Sequence, residues 1–366
     1  MLTEEKPGAE ADEPWHLNAA LLLERLRQLT ACAALPALRQ AVLTLKQDLA
    51  QADHHLHAQN ATETLVTCRP AHILADLEQI AAAQTLERAQ YYVERLIKSI
   101  TEVRTSAIND INLNRWKEYD DILTDSLWLI DRRDNSGVHS AGYWGNFIPQ
   151  IPHQMLRRYT RKGDWVLDPF AGLGTTLIEG QRLGRNTIGI ELQDTVASQA
   201  RALLAQEPNR HEVVSAVITG DSTQIDYQAI LQHYGQTSVQ LVLMHPPYFD
   251  IIKFSANPRD LSNAPSVAVF LSMIGEVVDH VAPILDRGRY LALVIGDKYA
   301  QGEWIPLGFQ TMNEVVQRGF TLKSIIVKNF ESTTGKRHQK ELWRYRALVG
   351  GFYIFKHEYI FVLCKQ

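Results

Sequence analysis

Residues able to do chemistry fall at intervals through the second half of this chain. Val166-Leu-Asp-Pro-Phe-Ala-Gly-Leu-Gly-Thr-Thr176 carries an apolar approach into Asp168-Pro169, then a glycine turn, then Leu177-Ile-Glu-Gly-Gln-Arg-Leu183. The approach reads as a strand and the last segment as a helix. Gly172 and Gly174 can take positive φ and let the backbone approach a ligand, while the helix N-terminus offers unpaired N–H groups. Strand, glycine loop and helix form a nucleotide-type site. Thr187-Ile-Gly-Ile-Glu191 ends in an acid able to accept from both hydroxyls of a ribose. In Gly220-Asp221-Ser222, Asp221 could accept from an exocyclic amine such as that of adenine, and Val239-Gln-Leu-Val-Leu-Met244 leads into His245-Pro246-Pro247-Tyr248. Singly, these are an exposed acid, a turn Asp and a proline pair that stops a strand. Their joint order is the signal.

The elements that must position these residues alternate. Strand-like runs occur at 166–167, 187–190, 213–218, 239–244, 290–295, 322–327 and 353–363, with helical segments near 153–161, 176–184, 194–205, 227–233, 266–285 and 306–318. This is the pattern of an α/β fold, a doubly wound, mostly parallel sheet with helices on both faces. Ligands of such sheets collect at the carboxyl edge, where all four patterns fall. The last two strands are joined by a polar loop, which suits an antiparallel hairpin at one edge.

The first half is different in kind. Residues 1–14 are acidic, lack apolar periodicity and read as a disordered tail. Leu22, Leu26 and Leu29 fall on one helical face, Pro36 breaks the run, and Leu38, Val42, Leu45 and Leu49 form a second stripe. A third helical region opens at Pro70, and Trp116, Tyr119, Leu123 and Leu127 extend the helical reading to about Trp128. Residues 15–130 therefore read as an all-α domain for target recognition, dimerisation or bracing, and the turn-rich 131–142 as a linker. The His54-His55-Leu56-His57 cluster, without ligand-spaced partners, reads as a polar loop.

Composition bounds the class. The 366 residues are 45% apolar, ample for two cores, and a net charge of −4 gives no global nucleic-acid signature. Cys32, Cys68 and Cys364 are too scattered for a zinc knuckle or a disulfide framework. With no apolar run of membrane-spanning length and no signal-peptide pattern, the sequence predicts a soluble cytoplasmic protein.

From about Tyr143 onward, Asp-Pro-Phe-Ala-Gly-Leu-Gly-Thr-Thr, the acidic second-strand end and the Pro-Pro-Tyr turn together resemble the amino-specific DNA methyltransferases. These modify adenine N6 or cytosine N4 with S-adenosylmethionine. The resemblance implies a Rossmann-like methyltransferase domain over 143–366. It implies Asp168, Pro169, Phe170, Ala171, Gly172, Gly174 and Thr175 around the cofactor, Glu191 on its ribose and Asp221 near its adenine. No metal is expected. His245, Pro246, Pro247 and Tyr248 would be the catalytic turn, with the first side chain and the Pro246 carbonyl accepting the target amine's hydrogens and Tyr248 stacking on a flipped base. Double-stranded DNA is the implied partner, in DNA modification, restriction-modification or genome defence at the prokaryotic nucleoid. The helical domain could bind a second copy or a defence-system partner. An RNA base-amine methyltransferase and a non-catalytic cofactor-binding subunit are the alternative readings.

His245 departs from that family's usual Asp, Asn or Ser. A neutral imidazole accepts one hydrogen bond and an imidazolium none, so activity should fall between about pH 8 and about pH 5.5 as it protonates. The connection from Phe249 to Ser262 is long enough for a lid that Asp260 and Ser262 could pin, and Asp297 reads as a loop or capping residue. Arg157, Arg158, Arg161 and Lys162 form one basic cluster. Lys336, Arg337, Lys340, Trp343 and Arg344 form another, mixed with aromatics, that suits a nucleic-acid backbone.

Overall fold

A computed structural model describes residues 13–51, 54–58, 64–139, 145–330 and 340–366, with Lys340 described by its backbone alone. The acidic stretch through residue 12, residues 140–144 around the expected linker boundary, and Lys336 and Arg337 lie outside the described residues. The chain divides into two compact units, Met1–Ser106 with Ile111–Asp121, and Ala107–Asp110 with Ile122–Gln366.

The first unit contains β1 (Trp15–Asn18), α1 (Ala19–Thr30), α2 (Leu35–Ala50), β2 (Leu65–Cys68), α3 (Pro70–Ala81) and α4 (Leu86–Thr101). The third helical region is thus two helices. Pro36 and Pro70 stand in first turns, where a missing N–H costs nothing. Every expected stripe residue, from Leu22 to Leu49, is buried, and each fully buried Leu or Ile contributes roughly 1.5–3 kcal/mol. A feature absent from the sequence reading is an internal duplication. Helices α1 and α3 have 12 residues each and α2 and α4 have 16. Their buried positions pair as Leu22 with Ile73, Leu26 with Leu77, Leu29 with Ile80, Val42 with Val93 and Leu45 with Leu96. The same 51-residue offset separates His16 and Thr67, which face each other at the middle of the antiparallel β1–β2 pair, their side chains 3.0 Å apart. The unit therefore folds as two copies of a strand–helix–helix element around a local pseudo-two-fold axis.

The all-α reading of 15–130 fails at the β1–β2 pair and again from Trp116 to Trp128. Leu113–Glu118 is a 3-10 turn kinked at Arg115, and Leu127–Trp128 is strand β3 of the second unit. The apparent four-residue spacing mixes Trp116, exposed to solvent, with Trp128, which is buried.

In the second unit α5 (Gln150–Tyr159), β4 (Trp165–Asp168), α6 (Thr175–Leu183), β5 (Asn186–Glu191), α7 (Asp194–Gln206), β6 (Ser215–Thr219), α8 (Tyr227–His233), β7 (Val239–Met244), α9 (Val267–Val281) and β8 (Leu285–Ile295) follow in strict alternation. A short β9 (Lys298–Ala300) and β10 (Glu303–Ile305) hairpin leads to α10 (Leu307–Val316), β11 (Phe320–Asn329), α11 (Lys340–Gly350) and β12 (His357–Lys365). The main sheet has the order β3-β11-β12-β8-β7-β4-β5-β6. It is the expected doubly wound, Rossmann-like sheet. Along β7, Leu241 and Leu243 pack with Ile151 and Met155 of α5, whereas Val242 and Met244 pack with Phe270, Ile274 and Val278 of α9. A strand covered on both faces must read as a continuous apolar run, as this one does.

Two details differ from expectation. The β11–β12 connection holds helix α11 rather than only a loop. The expected antiparallel pairing of β11 with β12 is present, and the two-residue strand β3 pairs along the outer side of β11, so the hairpin is one short strand in from the sheet's edge. Strand order reverses between β4 and β7, which opens a crevice at their carboxyl ends.

Candidate active site

The glycine loop is held from behind. Asp168, buried at the end of β4, accepts the Phe170 N–H at 2.9 Å and the Thr176 hydroxyl at 2.5 Å, and so ties the loop to the first turn of α6. Burial pushes its carboxyl up to about 6 against those two hydrogen bonds. At the end of β5, the Glu191 carboxylate accepts the Gly172 N–H at 3.1 Å and the Gln193 N–H at 2.9 Å. Gly174, at φ 80°, caps α6 in a left-handed conformation that a side chain would strain. The sequence reading passed over Gly189. A Cβ there would stand 2.7 Å from Ala171 and 2.8 Å from Leu177, so the bare strand is what lets the loop lie on β5. A glycine inside an otherwise β-branched strand was the available signal.

Asp221, after β6, is not a free acceptor. Its carboxylate receives the Arg259 Nε–H at 2.7 Å and the Thr223 hydroxyl at 2.7 Å. Burial alone would raise its pKa, but Arg259 and Thr223 hold it below the usual carboxylate range. Arg259 belongs to the long connection after β7, whose pinning by Asp260 and Ser262 is observed. Asp260 accepts from the Ser255 and Ser262 hydroxyls, each at 2.7 Å, and both Asp260 and Ser262 are buried. Asp297 caps α10 through the Gly308 N–H at 2.9 Å and also accepts from Trp304 and Tyr359.

At the end of β7, His245 stacks on Phe147, with ring centroids 4.7 Å apart and planes at 18°. Its Nε2 lies 3.2 Å from the Tyr248 hydroxyl, which donates to Glu358 Oε2 at 2.7 Å. Glu358 Oε1 in turn accepts from Lys328 Nζ at 3.0 Å. Burial would raise the Glu358 carboxyl, but the Lys328 ammonium and then His245 and Tyr248 bring it below its ordinary value. Burial pushes the His245 imidazole down to about 4, despite the opposing pull of Glu358. The ring therefore stays neutral through the range in which protonation was expected. Lys328 and Glu358, register partners on β11 and β12, were missed. Charges at the ends of apolar strands were visible, but nothing in the sequence pairs positions that far apart.

These groups surround one cavity of about 700 Å³ at the switch point. Pro169, Phe170, Ala171, Gly172, Glu191, Asp221, His245, Pro246, Pro247, Tyr248 and Trp343 line it, whereas Asp168, Gly174 and Thr175 stand behind the lining as supports. Of the second basic cluster, Trp343 reaches the cavity, with the Arg346 guanidinium 5.3 Å from its ring centre, and Arg344 is exposed. Of the first cluster, Arg158 donates to the Leu123 carbonyl at 2.9 Å.

Residues 49–202 match a protein-family model described as DNA methylase. A Type II methyltransferase of Methanocaldococcus jannaschii, M.MjaII, is 45% identical over 56 residues, which are 15% of this chain and 10% of that protein. M.MthZI of Methanothermobacter thermautotrophicus is 35% identical over 79 residues, 22% of this chain and 21% of its own length. M2.DpnII of Streptococcus pneumoniae is 35% identical over 106 residues, 27% and 40% of the two chains.

Over these stretches this chain is similar to DNA methylases.

The matched stretches amount to less than half the length of each of these three methyltransferases. The methylase model covers the glycine loop and Glu191 and stops before Asp221 and the His245 turn. Among solved structures, TrmN from Thermus thermophilus aligns with 61% of this chain and 50% of its own at 17% identity, with a TM-score of 0.40.

Proposed function

We propose that this protein transfers a methyl group from S-adenosylmethionine to the exocyclic amine of a DNA base, adenine N6 ahead of cytosine N4. The observation that carries the reading is the convergence of four strand ends, bearing Gly172, Glu191, Asp221 and His245, on one cavity. The residues fit the cofactor. Each Glu191 oxygen accepts one backbone N–H and keeps a second lone pair for a ribose hydroxyl. Gly172, at φ 52°, turns its backbone at the cavity wall. Asp221, fixed by Arg259, keeps acceptor capacity for an adenine amine. When bound, the cofactor supplies an electrophilic methyl on a sulfonium.

An exocyclic amine is a poor nucleophile because its lone pair is delocalised into the ring. His245 and the Pro246 carbonyl would accept its hydrogens and favour the localised form, while Tyr248 would stack on the extruded base for about 1–3 kcal/mol. Lys336, Arg337, Lys340, Trp343 and Arg344 would track the DNA backbone beside it. We place the work in a prokaryotic cytoplasm, in DNA modification or defence, with the helical unit reserved for target choice or a partner.

The test is incubation with methyl-labelled S-adenosylmethionine and separate DNA and RNA pools, followed by mass spectrometry of the nucleosides. N6-methyl-2′-deoxyadenosine from the DNA pool is the expected product. N4-methylcytosine would correct the base, label in RNA alone would move the substrate, and cofactor binding without transfer would make this a non-catalytic subunit.

A further inference from the structure

Replacing an oxygen acceptor by imidazole at the head of the catalytic turn creates a problem that a carboxylate or amide does not have. A carboxylate accepts at either oxygen. A neutral imidazole accepts at one nitrogen only, and with its proton on the wrong side it would present a donor to an amine that must itself donate. The turn works as an acceptor only if the tautomer is fixed.

We propose that Lys328, Glu358 and Tyr248 form a directional hydrogen-bond relay that keeps the proton of His245 on Nε2 and leaves Nδ1 as the acceptor. Proton counting sets the direction. The Lys328 ammonium is donor-only, so Glu358 accepts from it at 3.0 Å. Glu358 accepts again at 2.7 Å from Tyr248, whose single hydroxyl proton is thereby used. The Tyr248 oxygen can then only accept from His245, 3.2 Å away, so Nε2 carries the hydrogen. Lys328 and Glu358 are both buried, at the wall of the cavity, where the ion pair fixes the carboxylate, and Phe147 holds the ring plane by stacking. Gly296 completes the arrangement, since a Cβ there would meet the Tyr248 ring at 3.0 Å. Lys328 and Glu358 are positioning residues that act through Tyr248, and the inference rests on the methyl-transfer reading only for its catalytic consequence.

Long-range proton–nitrogen spectra of the full chain, ring-labelled at histidine and assigned with His245→Asn, test the relay without turnover. Native protein should show His245 protonated at Nε2. Tyr248→Phe keeps the ring but removes the acceptor, and should leave the two tautomers mixed. The double variant Lys328→Met, Glu358→Leu frees the tyrosine proton to point at Nε2 and should move the imidazole proton to Nδ1. Lys328→Arg keeps a donor-only cation on Glu358 and leaves both carboxylate oxygens as acceptors, and should keep the native spectrum. In methyl transfer, Tyr248→Phe and the double variant should lose roughly tenfold to hundredfold in kcat with KM little changed. A native ring protonated at Nδ1, or ring signals indifferent to both variants, would overturn the relay. A chain that transfers no methyl to any pool would overturn the function instead, and the spectra would still decide the relay.

Discussion

The two units of this molecule use their sequence in opposite ways. The helical unit repeats itself: Leu26 and Leu77, or Val42 and Val93, occupy equivalent places in two copies of one element, and its core is apolar. The sheet unit repeats nothing at its functional edge. There Asp168, Glu191 and the Lys328–Glu358 pair are all buried, in three different hydrogen-bond arrangements. Duplication is a cheap way to build a stable core, because two apolar faces of the same pattern cover each other. A reaction site needs unlike groups held at fixed distances, and burial of charge is tolerated where partners are supplied.

The contrast is broken most directly at His245. His245→Ala should lower methyl transfer about a hundredfold or more while circular dichroism and thermal unfolding stay native, because the change removes an acceptor and leaves the apolar core intact. In the helical unit the outcome should reverse. Leu26→Ala and Leu77→Ala should each cost about 2–5 kcal/mol in urea unfolding, and similar values would show that the duplication is energetic as well as geometric. Gly189→Ala joins the two behaviours, since its methyl would crowd Ala171 and Leu177. We expect a loss of about 1–3 kcal/mol, with weaker cofactor binding in calorimetry.

Smaller effects sharpen the picture. Replacing Lys336, Arg337 and Lys340 together by Ala should weaken DNA binding and flatten its salt dependence, the log–log slope falling by about one for each phosphate no longer neutralised. Unchanged binding at every salt concentration would remove that segment from the interface. The pH profile should show the least change. His245, held near 4, stays neutral, so the rate should be level from about pH 8 to about pH 5.5. Stability has a definite sign. The unfolded imidazole takes up its proton near its ordinary pKa and the folded one near 4, so the stability it contributes is present above about pH 6.5 and lost as pH falls toward 4. The depressed Glu358 carboxyl adds a loss in the same direction.

What could be read from the sequence follows from the range of the interactions involved. The main-sheet strands and the helices between Trp165 and Val316 were legible because apolar period and local turns specify them within a few residues, whereas the three-residue strands β9 and β10 were too short to show a period. The stretch from Trp116 to Trp128 was not, because β3 exists only through its pairing with β11, nearly 200 residues later. Glu191 and Asp221 were legible as strand ends, yet Arg259, which fixes Asp221, was not, since its approach depends on a pinned loop. Histidine at position 245 was visible, while the buried surroundings that hold it neutral were not. The duplication in the helical unit was present in the spacing and was passed over because each stripe was read singly.

The reversed strand β12 separates two properties that usually travel together, motif content and competence. Since it runs against its neighbours, it delivers its beginning, His357 and Glu358, to the edge where the other strands deliver their ends. A chain cut at Gly351 would retain the glycine loop, both acidic strand ends and the His-Pro-Pro-Tyr turn. It would nevertheless lack an inner strand of its sheet and the carboxylate beneath Tyr248. Genomic fragments of that kind would pass any inspection of motifs and be chemically empty.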